Sequence, residues 1–188
     1  MVESGETNAT GSVEVLQGAL EQGGATDASD LESALRELVL VSPAQAVDFA
    51  YALYSRGIAR DVAALVLARH EYAAGDLDAA ARYAEMALKT HPRDPQMRAL
   101  IATVRLQQGR PREAIEWAQG NSSDELPEDP LLLMVLGSSF VEAGRSIQGI
   151  PILRRAQALD PSLPGISQAV AAAYLRRWGP PVRILSLV

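Results

Sequence analysis

His70 and His91 are the only imidazoles in a chain of 188 residues that contains no cysteine. Thiolate nucleophiles, thiolate zinc sites and disulfides are thereby excluded, and metal or general-base chemistry would rest on two side chains. Neither histidine has an acid or nucleophile at a spacing that makes a catalytic constellation. His70 falls in the middle of a helical stretch, and His91 directly precedes Pro92, where a protonated ring suits the carbonyl end of a helix. No glycine-rich loop ends in Gly-Lys-Ser/Thr, and neither His-Glu-x-x-His nor Gly-x-Ser-x-Gly occurs. Acidic pairs such as Asp76 with Asp78 and Asp124 with Glu125 read as solvated loop charges. The inventory points away from an enzyme and toward recognition, with no metal and no cofactor expected.

The net charge of −6 is concentrated at the N-terminal end. Glu3, Glu6, Glu14, Glu21, Asp27 and Asp30 fall within the first 30 residues, which hold no Lys or Arg, and the remainder balances acid against base. Without a basic run or net positive body, the electrostatic footprint of a nucleic-acid binder is missing. No positive residue precedes an apolar stretch at the N-terminus, and no apolar run approaches the roughly 18 residues of a spanning helix. Neither a secretory signal nor membrane insertion is expected, and a cytoplasmic location is the default. Asn8-Ala9-Thr10 and Asn121-Ser122-Ser123 match the glycosylation pattern, which carries little meaning without an export signal.

The elements that would position any binding residues are written in the glycines. Gly75, Gly109 and Gly144 recur at separations of 34 and 35 residues, each followed five residues on by a small residue, Ala80, Ala114 and Gly149. Ala68-x6-Gly75-x4-Ala80-x6-Ala87-x4-Pro92 and Gly137-x6-Gly144-x4-Gly149-x6-Ala156-x4-Pro161 share one template. Two antiparallel helices per unit must pack closely, so small residues at Ala68 and Ala80, Ala102 and Ala114, and Gly137 and Gly149 occupy the crossings. The glycines end each first helix by accepting a left-handed conformation, and Pro92 and Pro161 block propagation of each second helix. Leu67, Leu88, Ile101, Ile115, Leu136, Phe140, Leu153 and Leu159 are the expected core, because no helix pair covers its apolar faces without neighbours.

Small residues at this period resemble the tetratricopeptide repeat (TPR) family. The resemblance is close over residues 60–177 and weak over 27–60. It implies an all-α, right-handed solenoid of about 3.5 to 4.5 helix pairs: a degenerate unit at 27–60, units at 61–94, 95–128 and 130–163, and a closing helix at 164–177. Residues 1–26, rich in Gly, Ser, Thr, Ala and Glu, are expected to be a disordered acidic tail with at most a marginal helix over Val13–Gln22. The first unit is expected to hold a helix at 30–41, a break at Val41-Ser42-Pro43 and a helix to Ser55. Two departures from the family pattern stand out. The third unit has Asn121 and Leu126 where alanine and proline belong, so its second helix is expected to be short, 111–119. Pro151 falls early in the second helix of the fourth unit and predicts a late start or a bend.

The resemblance further implies binding of an extended peptide or partner helix in a groove lined by the first helices. Carried onto this sequence, the groove residues are Arg69, Tyr72 and Ala73; Thr103, Leu106 and Gln107; Ser138, Val141 and Glu142; and Gln168, Leu175 and Arg176 on the closing helix. Their mixture of apolar and polar types suits a peptide or amphipathic helix better than a phosphate or a sugar. Co-chaperones of the family grip acidic C-termini with a ring of Lys, Arg and Asn. The nearest positions here are Leu65, Arg69, Gln96, Thr103, Leu131 and Leu133, where Arg69 alone qualifies, so chaperone-tail binding is not expected.

Residues 178–188 form a Pro-rich linker and a short apolar, β-prone run, Val182-Arg-Ile-Leu-Ser-Leu-Val188. This run reads either as a tail over the last helix or as the first strand of a further domain. The leading expectation is a bacterial, cytoplasmic adaptor with a protein or peptide partner. The alternatives are a regulatory arm of a larger, truncated enzyme and a self-associating structural array.

Overall fold

The computed structural model describes residues 3–23, 26–120 and 128–178, with side chains from Thr10 onward. Among these residues the structure is all-helical and contains no strand. The chain divides at Pro92 into two compact units, Met1–Pro92 and Arg93–Val188, where the repeat pattern alone implies a single array over 27–177.

The first unit comprises α1 (Glu3–Gln22), α2 (Ala28–Val41), α3 (Pro43–Arg56), α4 (Arg60–Ala74) and α5 (Leu77–Thr90). The pair α2–α3 occupies the degenerate repeat, with Pro43 at the start of α3, where a missing N–H costs nothing. Gly57 and Gly75 close α3 and α4 with φ of 77° and 86°. Ala46, Ala68 and Ala80 are fully buried, as helix crossings require.

The expected disordered tail over 1–26 is a helix instead for most of its length. An isolated helix of this composition would be marginal, but α1 is not isolated. Leu16 and Ala19 are fully buried in a cluster with Leu31, Leu35 and Leu38 of α2, and Val13 and Leu20 pack beside them. Burying a leucine contributes about 1.5–3 kcal/mol, and this tertiary packing supplies what local propensity lacks.

The second unit comprises α6 (Pro95–Gln107), α7 (Pro111–Gln119), α8 (Pro130–Glu142), α9 (Ser146–Leu159) and α10 (Ile166–Trp178). α6 packs on α7 and α8, α8 on α9 and α10, and α9 on α10. α7 is the short helix anticipated from the missing alanine and proline, and the polar loop and the Asn121 glycosylation pattern that follow it lie outside the described residues. The apolar run at 182–188 also lies outside them.

Of the expected core, Leu67, Leu88, Ile101, Ile115, Leu136, Phe140 and Leu153 are buried. Leu159 is not, being 52% exposed. It is the last residue of α9, immediately before the Asp160 cap, and no following turn covers it. α9 also begins without delay at Ser146, five residues ahead of Pro151. Pro151 withdraws a donor from the carbonyl of Ile147, and that residue is 72% exposed, so water can take the place of the missing N–H.

Candidate functional site

Four aspartates start helices in a way the charge pattern conceals. Asp27, Asp76, Asp94 and Asp129 each accept a backbone N–H from the first turn of α2, α5, α6 and α8, respectively. Asp76 therefore anchors α5 through the Ala79 N–H at 2.8 Å rather than serving only as a solvated loop charge. The signal was present for two of them. Asp94-Pro95 and Asp129-Pro130 place a capping carboxylate directly before a proline at the first helical position. Asp124 and Glu125 lie outside the described residues.

The Asp94 and Asp129 caps fix the starts of α6 and α8, whose side chains, with those of α10, define the candidate site. On α6, Gln107 is exposed, Leu106 is half-buried against the apolar core, and the Thr103 hydroxyl donates to the Ala99 carbonyl at 2.7 Å. On α8, Ser138 is half-buried and Glu142 is exposed. On α10, Gln168, Leu175 and Arg176 are all exposed, Leu175 by 51%. Because α8 packs against both α6 and α10, it lies between the other two first helices of the unit.

Two sequence-selected residues meet directly. Arg176 Nη1 of α10 lies 2.8 Å from Glu142 Oε2 of α8, an ion pair between half-exposed side chains. Val141 takes a different role from the one the repeat frame implies. It is 5% exposed, and its Cγ2 would be 2.7 Å from a Cβ on Gly149, so it fills the space that this glycine leaves between α8 and α9. Beyond Leu175, Trp178 is 63% exposed and stacks on Tyr174 with ring centroids 5.0 Å apart, extending the apolar character of α10 toward its end.

Within the first unit, Arg69 and Ala73 of α4 are exposed and Tyr72 is half-buried. The neighbouring His70 makes an edge-on contact with the Tyr51 ring, 6.2 Å between centroids. Tyr51 donates a hydrogen bond to the Glu71 carboxylate, which with partial burial pushes its phenol up to about 12. His91 caps α5, its N–H donating to the Ala87 carbonyl.

Sequence reasoning missed Arg98. From α6 it reaches the end of α7, where Nε donates to the Trp117 carbonyl at 3.2 Å and Nη2 to the Ala118 carbonyl at 2.6 Å. It thereby satisfies carbonyls that a nine-residue helix leaves without partners of its own. Burial holds its guanidinium below the ordinary arginine range. Among the described residues no group of three His, Asp or Glu is placed to hold a metal, and no helix is long and apolar enough to cross a membrane.

Comparison with known proteins agrees with this helical geometry. Residues 65–121 match the family model of the tetratricopeptide repeat. The crystal structure of YrrB, described as a TPR protein with an unusual peptide-binding site, is similar at a TM-score of 0.65 and 14% identity, covering 87% of this chain and 84% of that one. TTC0263, a thermophilic TPR protein of Thermus thermophilus, is similar at a TM-score of 0.52 and 18% identity, covering 91% of this chain and 99% of that one. No curated protein sequence matches.

Proposed function

We propose that this chain, with its match to the tetratricopeptide repeat over residues 65–121, serves as a protein-interaction adaptor whose second unit holds a peptide or helical segment of a partner across α6, α8 and α10. The observation that carries this reading is the arrangement of these first helices, with α8 packed between α6 and α10 and with Gln107, Ser138, Glu142, Gln168, Leu175 and Arg176 left at least partly accessible.

The chemistry suits a mixed segment. Leu175 and the accessible part of Leu106 offer apolar anchors, the amides of Gln107 and Gln168 can pair with an extended backbone, and the Glu142–Arg176 pair supplies either charge to a polar side chain. The Asp94 and Asp129 caps hold α6 and α8 and their side chains in place, so binding costs mainly the ordering of the partner segment. YrrB, with its peptide-binding site, is a precedent for this use of a similar fold. Arg69, Tyr72 and Ala73 on α4 are a second candidate surface within the first unit. Recruitment rather than catalysis, in a bacterial cytoplasm, completes the reading.

The reading is tested by selecting peptides from a displayed random library against the intact protein and titrating them against Leu106→Ala, Leu175→Ala. Selected peptides should lose at least about tenfold in affinity for this double variant, in line with the dominance of a few interface anchors. Peptides that bind the double variant as tightly as the native chain would place recognition elsewhere.

A further inference from the structure

α1 covers an apolar face that needs an occupant, and it fits that face poorly. Leu16 and Ala19 are fully buried against Leu31, Leu35 and Leu38 of α2. Yet Gly11 and Gly18 lie mid-helix with nothing within 4 Å of a Cβ built on either, so no close approach demands a glycine and local helix propensity is low. Two open hollows flank the helix. One, about 350 Å³, lies toward α3 between Val13, Leu20 and Phe49. The other, about 670 Å³, lies toward α2 and gathers Glu14 of α1 with Asp30 and Glu37 of α2. No Lys, Arg or His is among its lining residues, so carboxylates of both α1 and α2 line it without a base. Against these defects stand two polar ties, Ser12 donating to Glu37 at 2.7 Å and Arg56 donating to the Leu20 carbonyl at 2.7 Å.

We propose that α1 is an exchangeable occupant and that the α2–α3 face is a docking site for a basic amphipathic helix of a partner protein. α1 itself shows the spacing required, with aliphatic residues at Val13, Leu16 and Leu20 forming one stripe. Larger aliphatics on the incoming helix cover the smaller hollow. Lys or Arg at the place of Glu14 adds attraction to Asp30 and Glu37, which selects a basic helix over an acidic one. This site belongs to the first unit and stands independently of the face formed by α6, α8 and α10.

The test titrates a fluorescent peptide of residues 3–22, made basic by Glu3→Lys, Glu6→Lys, Glu14→Lys and Glu21→Lys and bearing Gly11→Ala and Gly18→Ala, into the full chain and into its Leu16→Asp variant. An internal occupant lowers the apparent affinity of a competitor by the fraction of time the site is vacant, so Leu16→Asp should bind at least about tenfold more tightly. Equal affinity for both chains, or binding to neither, overturns the proposal. Should Leu16→Asp fail to fold, hydrogen exchange on the native chain decides instead. The amides of α1 should exchange at least about tenfold faster than those of α2 through local opening. Exchange of α1 and α2 at a common rate contradicts an exchangeable helix.

Discussion

Gly137 of α8 faces Gly149 of α9 so closely that a Cβ on Gly149 would sit 2.6 Å from the Gly137 carbonyl oxygen, and one on Gly137 would sit 3.1 Å from the Gly149 oxygen. The two backbones approach each other directly at this crossing, with the Leu153 and Val141 side chains packed beside it, which sets the separation of α9 from α8, the helix that carries Ser138 and Glu142. A methyl at Gly149 must also displace Val141 Cγ2 at 2.7 Å. Overpacking of this kind costs about 1–3 kcal/mol, while exchanging a mid-helix glycine for alanine returns about 0.5–1 kcal/mol. We expect Gly149→Ala to destabilise the second unit by about 1–2 kcal/mol, measured as a lower denaturant midpoint.

Gly18→Ala should move stability in the opposite direction. The position is helical, its φ is not positive and the space around it is open, so only the propensity gain remains. Chemical denaturation should show a gain of about 0.5–1 kcal/mol, and circular dichroism should show no loss of helix.

Arg98 is expected to hold α7 together from outside. Replacing it by methionine keeps the aliphatic stem but removes both donors to the Trp117 and Ala118 carbonyls. A loss of about 1–2 kcal/mol is expected, the order of magnitude for hydrogen bonds from a charged group that is partly exposed. Hydrogen exchange should accelerate in α7 before it does in α8 and α9.

Tyr51 should be among the last tyrosines to ionise, close to pH 12, because its hydroxyl donates to Glu71 and the tyrosinate would face that carboxylate. The folded-state pKa lies above the unfolded value of about 10, so the hydrogen bond's contribution is fully present below pH 10 and is lost as pH rises toward 12. Ultraviolet titration of Glu71→Gln should show Tyr51 moving back to lower pH, with a smaller shift of the same sign at Tyr83, which the Glu71 charge also raises. Burial also raises Tyr83, which should be unaffected by Tyr51→Phe.

The repeat was legible because its punctuation is local. Gly75, Gly109 and Gly144 adopt φ between 71° and 86°, a requirement that only glycine meets without strain, and such positions survive in the sequence as a period. The small residues at the helix crossings are legible for a similar reason, since close packing admits few alternatives. α1 was not legible, because Leu16 and Ala19 acquire their meaning from Leu31 and Leu35, which lie beyond a glycine-rich connection. The candidate site was legible only as a face. The repeat frame placed Val141 there, but its side chain turns to the gap opposite Gly149, and that gap depends on the approach of two helices rather than on the position of Val141 in its own.

The sharpest division is therefore between Val141, which supports α8 from within, and Leu175, which lies exposed on α10. Val141→Ala should cost stability, about 1 kcal/mol or more for a buried side chain, and leave affinity for a selected peptide unchanged. Leu175→Ala should do the reverse.

Backbone chemical-shift perturbation with a selected peptide tests the central claim most directly. The account predicts the largest shifts at Gln107, Ser138, Glu142, Gln168 and Leu175 on α6, α8 and α10. Shifts confined to the exposed positions of α7 and α9, such as Glu116, Arg154 and Arg155, would contradict it.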